Sequence, residues 1–349
     1  MKISVTGGSG FLGSHLLPLL VEDGHQVRAL SRTPAPVFPK GVEVCVGDVL
    51  DGESGDRLVA GCEILIHLAG LVSRDPADGP RMYRLHVDGT RNVLTAAAQA
   101  GVRRIILAST SGTIAVSKTD RVATEADHYP FATVGRWPYY LSKIFQERLA
   151  FELSAELKLP LLILNPSLLL GPGDERFSSV GDVWKFMQRD IPAMPTGGLS
   201  FVDVRDAAQA LRSAITNGRV GERYLLGAVN MPLKEFLERL SRLTDVPPPR
   251  LQLPSALNLL GVEGLERLAK WRGVEPGIDR HSVEMGEHFF YFDSAKAKDE
   301  LGFDPRDPQD TLRDTVRDLQ ARQRAGRGPG LTSSGWPSGT NSVTARSRD

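Results

Sequence analysis

An apolar run, Lys2–Thr6, passes without a break into Gly7-Gly8-Ser9-Gly10-Phe11-Leu12-Gly13 and then into an amphipathic stretch, Phe11–Asp23. So short a junction leaves few ways to turn from a buried strand into a helix. The glycines at 7, 10 and 13 give the spacing G-x-x-G-x-x-G, in which each has a mechanical task. One permits the tight turn, the next lets backbone approach a pyrophosphate, and the third lets the helix pack closely on the strand. The unsatisfied N–H groups and positive dipole end of a helix beginning near Phe11 complete an anion site.

The alternation that starts there continues. Gln26–Leu30, Val42–Val46, Glu63–Leu68, Arg104–Ala108 and Leu161–Leu164 read as near-continuous apolar strands, the kind buried on both faces of a parallel sheet. Amphipathic stretches at Pro80–Ala100 and Trp137–Leu157 lie between them. The pattern predicts an α/β chain: a doubly wound parallel Rossmann sheet with a smaller, mainly helical C-terminal substrate cap. Residues 1–165 are assigned to the dinucleotide-binding domain. Residues 199–228 are expected to rejoin it, through strands at Ser200–Val202 and Arg223–Leu226 around a helix at Asp203–Thr216. Residues 166–198 and 229–323 form the cap. The Gly-, Ser-, Pro- and Arg-rich stretch 324–349 buries too little apolar surface to offset its ordering entropy and reads as a disordered tail.

The chain's 349 residues suffice for an ample core. Its 42 basic residues balance 42 acidic ones, which removes any electrostatic case for nucleic acid or an anionic membrane surface. Cys45 and Cys62 are too few and too poorly spaced for a disulfide framework or a zinc site, and read as buried free thiols in a reducing compartment. The longest apolar run, Leu159–Leu170, is interrupted by Asn165-Pro166 and is too short to span a bilayer. With a strand at the N-terminus and no leader pattern, the expectation is a cytoplasmic protein.

An NAD-selective site of this build places Asp or Glu about 20 residues beyond the turn, on the ribose hydroxyls. Here the second strand ends in Leu30-Ser31-Arg32, with no carboxylate. Arg32 is either the partner of a 2′-phosphate or a solvated loop cation, and the first alternative favours NADP over NAD. Asp48-Val49, closing the third strand, is expected at the adenine. Ala69-Gly70, closing the fourth, suits a close backbone approach to the cofactor. Farther on, Tyr139 and Lys143 stand four apart on a predicted helix, on one face of it. An ammonium there can lower a phenol's pKa from about 10 towards the range of a usable acid or base. Tyr140 lies about 100° round the helix and reads as packing, and Tyr129 falls in a loop.

Taken in order, Thr6–Gly13, His67-Leu68-Ala69-Gly70, Val87-Asp88-Gly89-Thr90, Tyr139 with Lys143, Gly171-Pro172-Gly173-Asp174, Phe201–Asp206 and Leu301-Gly302-Phe303 resemble the extended short-chain dehydrogenase/reductase family. That family includes the NAD-dependent epimerases and dehydratases. Ser111-Gly112-Thr113 and Phe292–Ala297 are most similar to its branch of 3β-hydroxysteroid dehydrogenases and dihydroflavonol reductases. The resemblance implies a triad. Thr110, with Ser111 as runner-up, would hold the substrate oxygen; Tyr139 would pass the proton; Lys143 would bind the nicotinamide ribose and depress the pKa of Tyr139. It implies a cofactor set of Gly7, Gly10, Phe11, Leu12, Gly13, Ser31, Arg32, Asp48, Val49, Ala69, Gly70, Tyr139, Lys143 and Pro166, and no metal.

Two places depart from the family's pattern. His86 stands where many members have Asn, and Asn165-Pro166-Ser167 stands where many carry Arg-Pro. In the cap, Leu253, Leu257, Leu259, Leu260, Leu265, Leu268 and Trp271, followed by His288–Phe292, read either as cap core with a covering strand or as the apolar wall of a substrate pocket. The expected activity is NAD(P)-dependent reduction of a ketone, or oxidation of a secondary alcohol, on a hydrophobic small molecule of sterol, flavonoid or secondary-metabolite type. The alternatives are a nucleotide-sugar epimerase or dehydratase and a non-catalytic NAD(P)-sensing protein. The Tyr139/Lys143 pair argues against the last. Many members pair through helices equivalent to 80–100 and 137–157, which makes a homodimer a further expectation; others on the reductase branch are monomers.

Overall fold

The structure, a computed structural model, describes residues 1–251 and 280–329. Its strands, in chain order, are β1 (Lys2–Thr6), β2 (Gln26–Ser31), β3 (Val42–Val46), β4 (Ile64–His67), β5 (Arg104–Ala108), β6 (Leu161–Pro166), β7 (Leu168–Leu170), β8 (Gly198–Asp203), β9 (Arg223–Leu226) and β10 (Val229–Pro232). Seven of them make a parallel sheet in the order β3-β2-β1-β4-β5-β6-β9. The order reverses at β1, so the crevice outside the strands' carboxyl ends there is where a doubly wound sheet takes its ligand.

Side chains alternate across the inner strands and divide the core in two. On one face Ile64, Ile66, Ile106, Leu162 and Leu164 meet Leu16, Leu17 and Leu20 of helix α1 (Phe11–Glu22). Leu65, Ile105, Leu107, Leu161 and Ile163 point to the other face. There they meet Leu58 of α2 (Gly52–Val59) and helices whose ranges follow below. Both faces are covered, which is why these strands are apolar without a polar edge. Each fully buried Leu or Ile contributes about 1.5–3 kcal/mol.

The stretch 80–100 is expected as a single helix. It is instead α3 (Gly79–Tyr83), a π-helical turn at Arg84–Asp88, and α4 (Gly89–Gln99). The wider turn carries His86 into the interior, and such turns concentrate at functional sites. After the short α5 (Phe131–Val134), α6 (Pro138–Leu157) lies beside α4, and Val93, Leu94, Leu149, Ala150 and Leu153 complete the second core.

Beyond β6 the chain builds its second unit. Helices α7 (Gly181–Met187) and α9 (Leu233–Thr244) and the helix Pro308–Arg324 surround a three-stranded sheet, β10-β8-β7, with Phe186, Phe201, Phe236, Leu240, Leu312 and Val316 at its centre. One expectation needs correcting here. The strand at 200–202 does not rejoin the main sheet; within β8 it pairs with β7 and β10. β9 occupies the outer edge of β6, and β8 instead joins β7 and β10 in the separate sheet. Helix α8 (Val204–Ser213) does return, laying Ala207, Ala208 and Leu211 against the α1 side. The segment at Phe289–Phe292 covers the junction, bridging to Ser117, Ala123 and Gly198.

The expected cap leucines with Trp271, and the tail from residue 330, lie outside the described residues. Among the described residues no helix is long and apolar enough to cross a membrane, and no group of His, Cys, Asp and Glu could hold a metal ion.

Candidate active site

The dinucleotide turn is built as its spacing requires. Gly7 has φ +71°, and a Cβ there would lie 2.6 Å from the carbonyl carbon of Leu68 and 2.7 Å from the nitrogen of Ala69. A Cβ on Gly13 would overlap the Gly7 carbonyl. Gly10 donates its N–H to that carbonyl at 3.0 Å and begins α1 with no side-chain cap, so the first helical N–H groups, at Phe11 and Leu12, face outward for an anion. The turn is tied to β4, because the Thr6 hydroxyl oxygen accepts the N–H groups of Leu68 (3.2 Å) and Ala69 (3.1 Å). His15 of α1 bonds the Pro172 carbonyl at 2.9 Å and holds the loop after β7 against the turn.

At the adenosine end, Ser31 closes its own turn: its hydroxyl donates to the Thr33 carbonyl at 2.8 Å. Arg32 is exposed, and its guanidinium feels the Asp48 carboxylate together with Arg176 and Arg81. Asp48 caps Leu50 at 3.0 Å, and Val49 is buried with its carbonyl held by Asn92. Gly70 faces the His86 ring, where a Cβ would come within 3.1 Å of Nε2. Next to Pro166 at the end of β6, the Ser167 hydroxyl is buried with no partner. A cradle that a Cβ would fill, an open helix N-terminus, a cationic end and an orphan hydroxyl all fit a nicotinamide dinucleotide.

Tyr139 follows Pro138 in the first turn of α6, with the Thr110 side chain beside its phenol. Burial pushes the phenol's pKa up, with the neighbouring Tyr140 adding to the rise and Thr110 opposing it. Lys143, 4% exposed, donates to the Ala108 carbonyl at 2.9 Å and to the Gln146 side-chain oxygen. Burial lowers its ammonium to about 8, against the pull of Glu147. The balance at Tyr139 therefore differs from the one the family resemblance implies. Lys143 directs its hydrogen bonds to Ala108 and Gln146, burial dominates at the phenol, and Tyr139 is held protonated through the neutral range.

Ser111 is buried in the turn that follows Thr110. Tyr140 packs over Gly112 and, at 5.9 Å between ring centres, against both Trp137 and Phe290. Tyr129 donates its hydroxyl to Glu147 at 3.2 Å.

A buried polar chain runs inward from Lys143. The ammonium can only donate, so the Gln146 amide must turn its oxygen to Lys143 and its NH2 to Thr90, at 2.7 Å. From the other end, Thr6 already accepts two N–H groups, so its own proton goes to His67 Nδ1 at 2.6 Å, and His67 donates from Nε2 to Thr90 at 3.0 Å. Both arms converge on the Thr90 oxygen. Burial lowers His67 to about 3 and His86 well below its usual value, with the Lys143 charge adding in both. His86 accepts from the Leu71 N–H at 3.0 Å and so donates from Nδ1 to Ser142 at 2.9 Å; Ser142 in turn donates to the Tyr139 carbonyl at 2.7 Å. Sequence reasoning missed Gln146, Glu147 and Thr90. The signal for the first two was their place three and four residues beyond Lys143, on its buried face.

Strand order and glycine turn define the dinucleotide-binding class of α/β protein. The chain belongs to the NAD dependent epimerase/dehydratase family, which it matches over residues 3–227. It is 33% identical to a putative dihydroflavonol 4-reductase of Synechocystis, over 90% of this chain and 92% of that protein. It is 31% identical to sterol demethylase protein B of Methylococcus capsulatus, over 90% and 97%. Among solved structures it is similar to gox2253, with a TM-score of 0.78, 31% identity, and 94% and 99% of the two chains covered. The protein is a nicotinamide-dependent oxidoreductase of this reductase and epimerase family.

Proposed function

We propose that this chain reduces a ketone on a hydrophobic small molecule, running in reverse as a secondary-alcohol dehydrogenase, and takes NADP in preference to NAD. The observation that carries the reading is the Tyr139 phenol, which burial keeps protonated, with Thr110 beside it and the buried Lys143 one helical turn on. A protonated phenol is the form that can give its proton to an oxygen gaining negative charge. When bound, the nicotinamide supplies or accepts the hydride. Thr110 orients the substrate oxygen, Tyr139 protonates it, and Lys143 supplies the positive charge beneath them and grips the ribose.

The dinucleotide would be held by Gly7, Gly10, Phe11, Leu12 and Gly13 at the diphosphate, and by Ser31, Arg32, Asp48 and Val49 at the adenosine. Ala69, Gly70 and Pro166 would line the nicotinamide half. Arg32, with Arg81 and Arg176 acting on it, supports a 2′-phosphate there. Tyr140 and Phe290, backed by the buried Trp137, offer the substrate an aromatic wall, which suits a flavonoid- or sterol-like ring system. We assign the protein to the cytoplasm, where Cys45 and Cys62 stay free. Pairing into a homodimer would use the helices over 80–100 and 137–157, where the exposed Tyr83 meets Phe145 edge to face.

The test is a panel of a dihydroflavonol, a 3-ketosteroid and cyclohexanone, each with NADPH and with NADH, followed by nicotinamide absorbance. Turnover of a ketone with at least about tenfold preference for NADPH is expected, and Arg32→Ala should remove that preference. Interconversion of a UDP-sugar with no net nicotinamide consumption would overturn the reading.

A further inference from the structure

Glu147 lies one helical turn beyond Lys143 and is fully buried. Removing a carboxylate from water costs several kcal/mol, so a buried one persists only where donors surround it. Here five side chains do. The hydroxyl of Ser109, the Thr113 hydroxyl at 2.8 Å and the Asn165 amide at 2.6 Å meet one oxygen; the Tyr129 hydroxyl at 3.2 Å and the Arg223 guanidinium at 3.5 Å meet the other. Two of these partners also hold Thr110. The Asn165 amide, with two protons, also reaches the Thr110 carbonyl at 3.1 Å, and the single Thr113 proton lies between that carbonyl and the carboxylate, 2.8 Å from each. The turn holding Thr110 is therefore anchored from below by this carboxylate at three points: Ser109 just after β5, Thr113 in the turn itself, and Asn165 on β6.

Charge points the same way. The titratable and charged groups around the Lys143–Glu147 pair are His67 from β4, His86 from the π-helical turn, Tyr129 from the loop before α5, Arg223 from β9, and Tyr139 on α6 itself. The histidines are neutral and the phenols protonated, and Glu147 lies between two cations, Arg223 at 3.5 Å and Lys143 one helical turn away.

We propose that Glu147 is a positioning residue of the active site: its carboxylate sets the Ser109–Thr113 turn that presents Thr110 to Tyr139, and it balances the charge of Lys143. The proposal rests on the reading that Thr110, Tyr139 and Lys143 carry the chemistry, and it is tested by two measurements of which only one needs a substrate.

The first is an NMR titration of the ligand-free protein labelled at the lysine side chains. The Lys143 midpoint, near 8 in the parent, should fall by about one pH unit in Glu147→Gln. The second uses the ketone turned over fastest in the panel, with NADPH. In Glu147→Gln, kcat should drop about 10–100-fold and its alkaline limb should shift down by about the same one unit, with NADPH affinity within about threefold of the parent. Glu147→Asp should recover part of both. An unmoved lysine midpoint overturns the charge-balancing role, and parent-like kcat in Glu147→Gln overturns the positioning role. If Glu147→Gln fails to fold, Thr113→Val decides, since it leaves the carboxylate in place. It should lower kcat about tenfold with the lysine midpoint unchanged, and an undiminished kcat sinks the proposal. Were the whole panel inert, the failure would lie with the assigned activity, and the lysine titration would still decide whether Glu147 balances the Lys143 charge.

Discussion

Four hydroxyls crowd the end of β5, and the structure divides them. Ser109 and Thr113 turn down to Glu147, Thr110 turns to the Tyr139 phenol, and Ser111 lies buried within the turn itself. Sequence alone left Thr110 and Ser111 as alternatives because both are small, hydroxylated and one residue apart. The gap-free register of β5 was the only discriminator. Thr110→Val should lower kcat about 10²-fold while Ser111→Ala changes it less than about threefold, with NADPH affinity of both near the parent by fluorescence quenching. If Ser111→Ala is the damaging change, the two roles must be exchanged. Glu147 shows why part of the site was illegible. A glutamate on an amphipathic helix ordinarily reads as a solvated face, and nothing in the sequence says that Asn165, 18 residues on, curls back to meet it.

At the level of elements, α6 and the π-helical turn before α4 form one unit. His86 is the joint: it receives the Leu71 N–H from the loop after β4 and hands a hydrogen bond through Ser142 to the backbone of Tyr139. The strand–helix rhythm was legible because period and length differ so plainly between the two. The wide turn was not, since one extra residue in a helical pattern leaves the apolar spacing almost unchanged. Asn at position 86 can still accept from Leu71 and donate to Ser142, whereas Ala can do neither. His86→Asn should therefore keep kcat within about fivefold of the parent, and His86→Ala should lose at least about tenfold. Equal losses in the two variants would show that the ring's volume matters and its hydrogen bonds do not.

For the molecule as a whole, the main sheet was readable because strands buried on both faces carry an uninterrupted apolar signal. The partner of β8 was not readable, because Leu199–Val202 is equally apolar in either sheet and its place depends on pairing with β7 and β10, which the sequence does not signal. The buried histidines give the fold a pH signature. An unfolded His67 takes a proton below about 6.5, while the folded one refuses it down to about 3. Stability is thus full above pH 6.5 and falls as pH drops towards 3, at about 1.4 kcal/mol per unit and about 5 kcal/mol in total for this one residue. His86 adds a loss of the same sign. Urea midpoints should be flat from pH 8 to 7 and decline steadily below 6, with a shallower decline in His86→Asn; a flat profile down to pH 4.5 would refute this linkage.

The convergence of two hydrogen-bond arms on Thr90 also governs proton traffic through the molecule. Protons hop along a wire only when each donor is also an acceptor facing the same way. Here the Gln146 amide and the His67 ring both aim their hydrogens at one oxygen. The interior behind Lys143 is a cul-de-sac. On the proposed reading, in which Tyr139 gives up its proton, this hydrogen-bond chain offers no inward path to replace it.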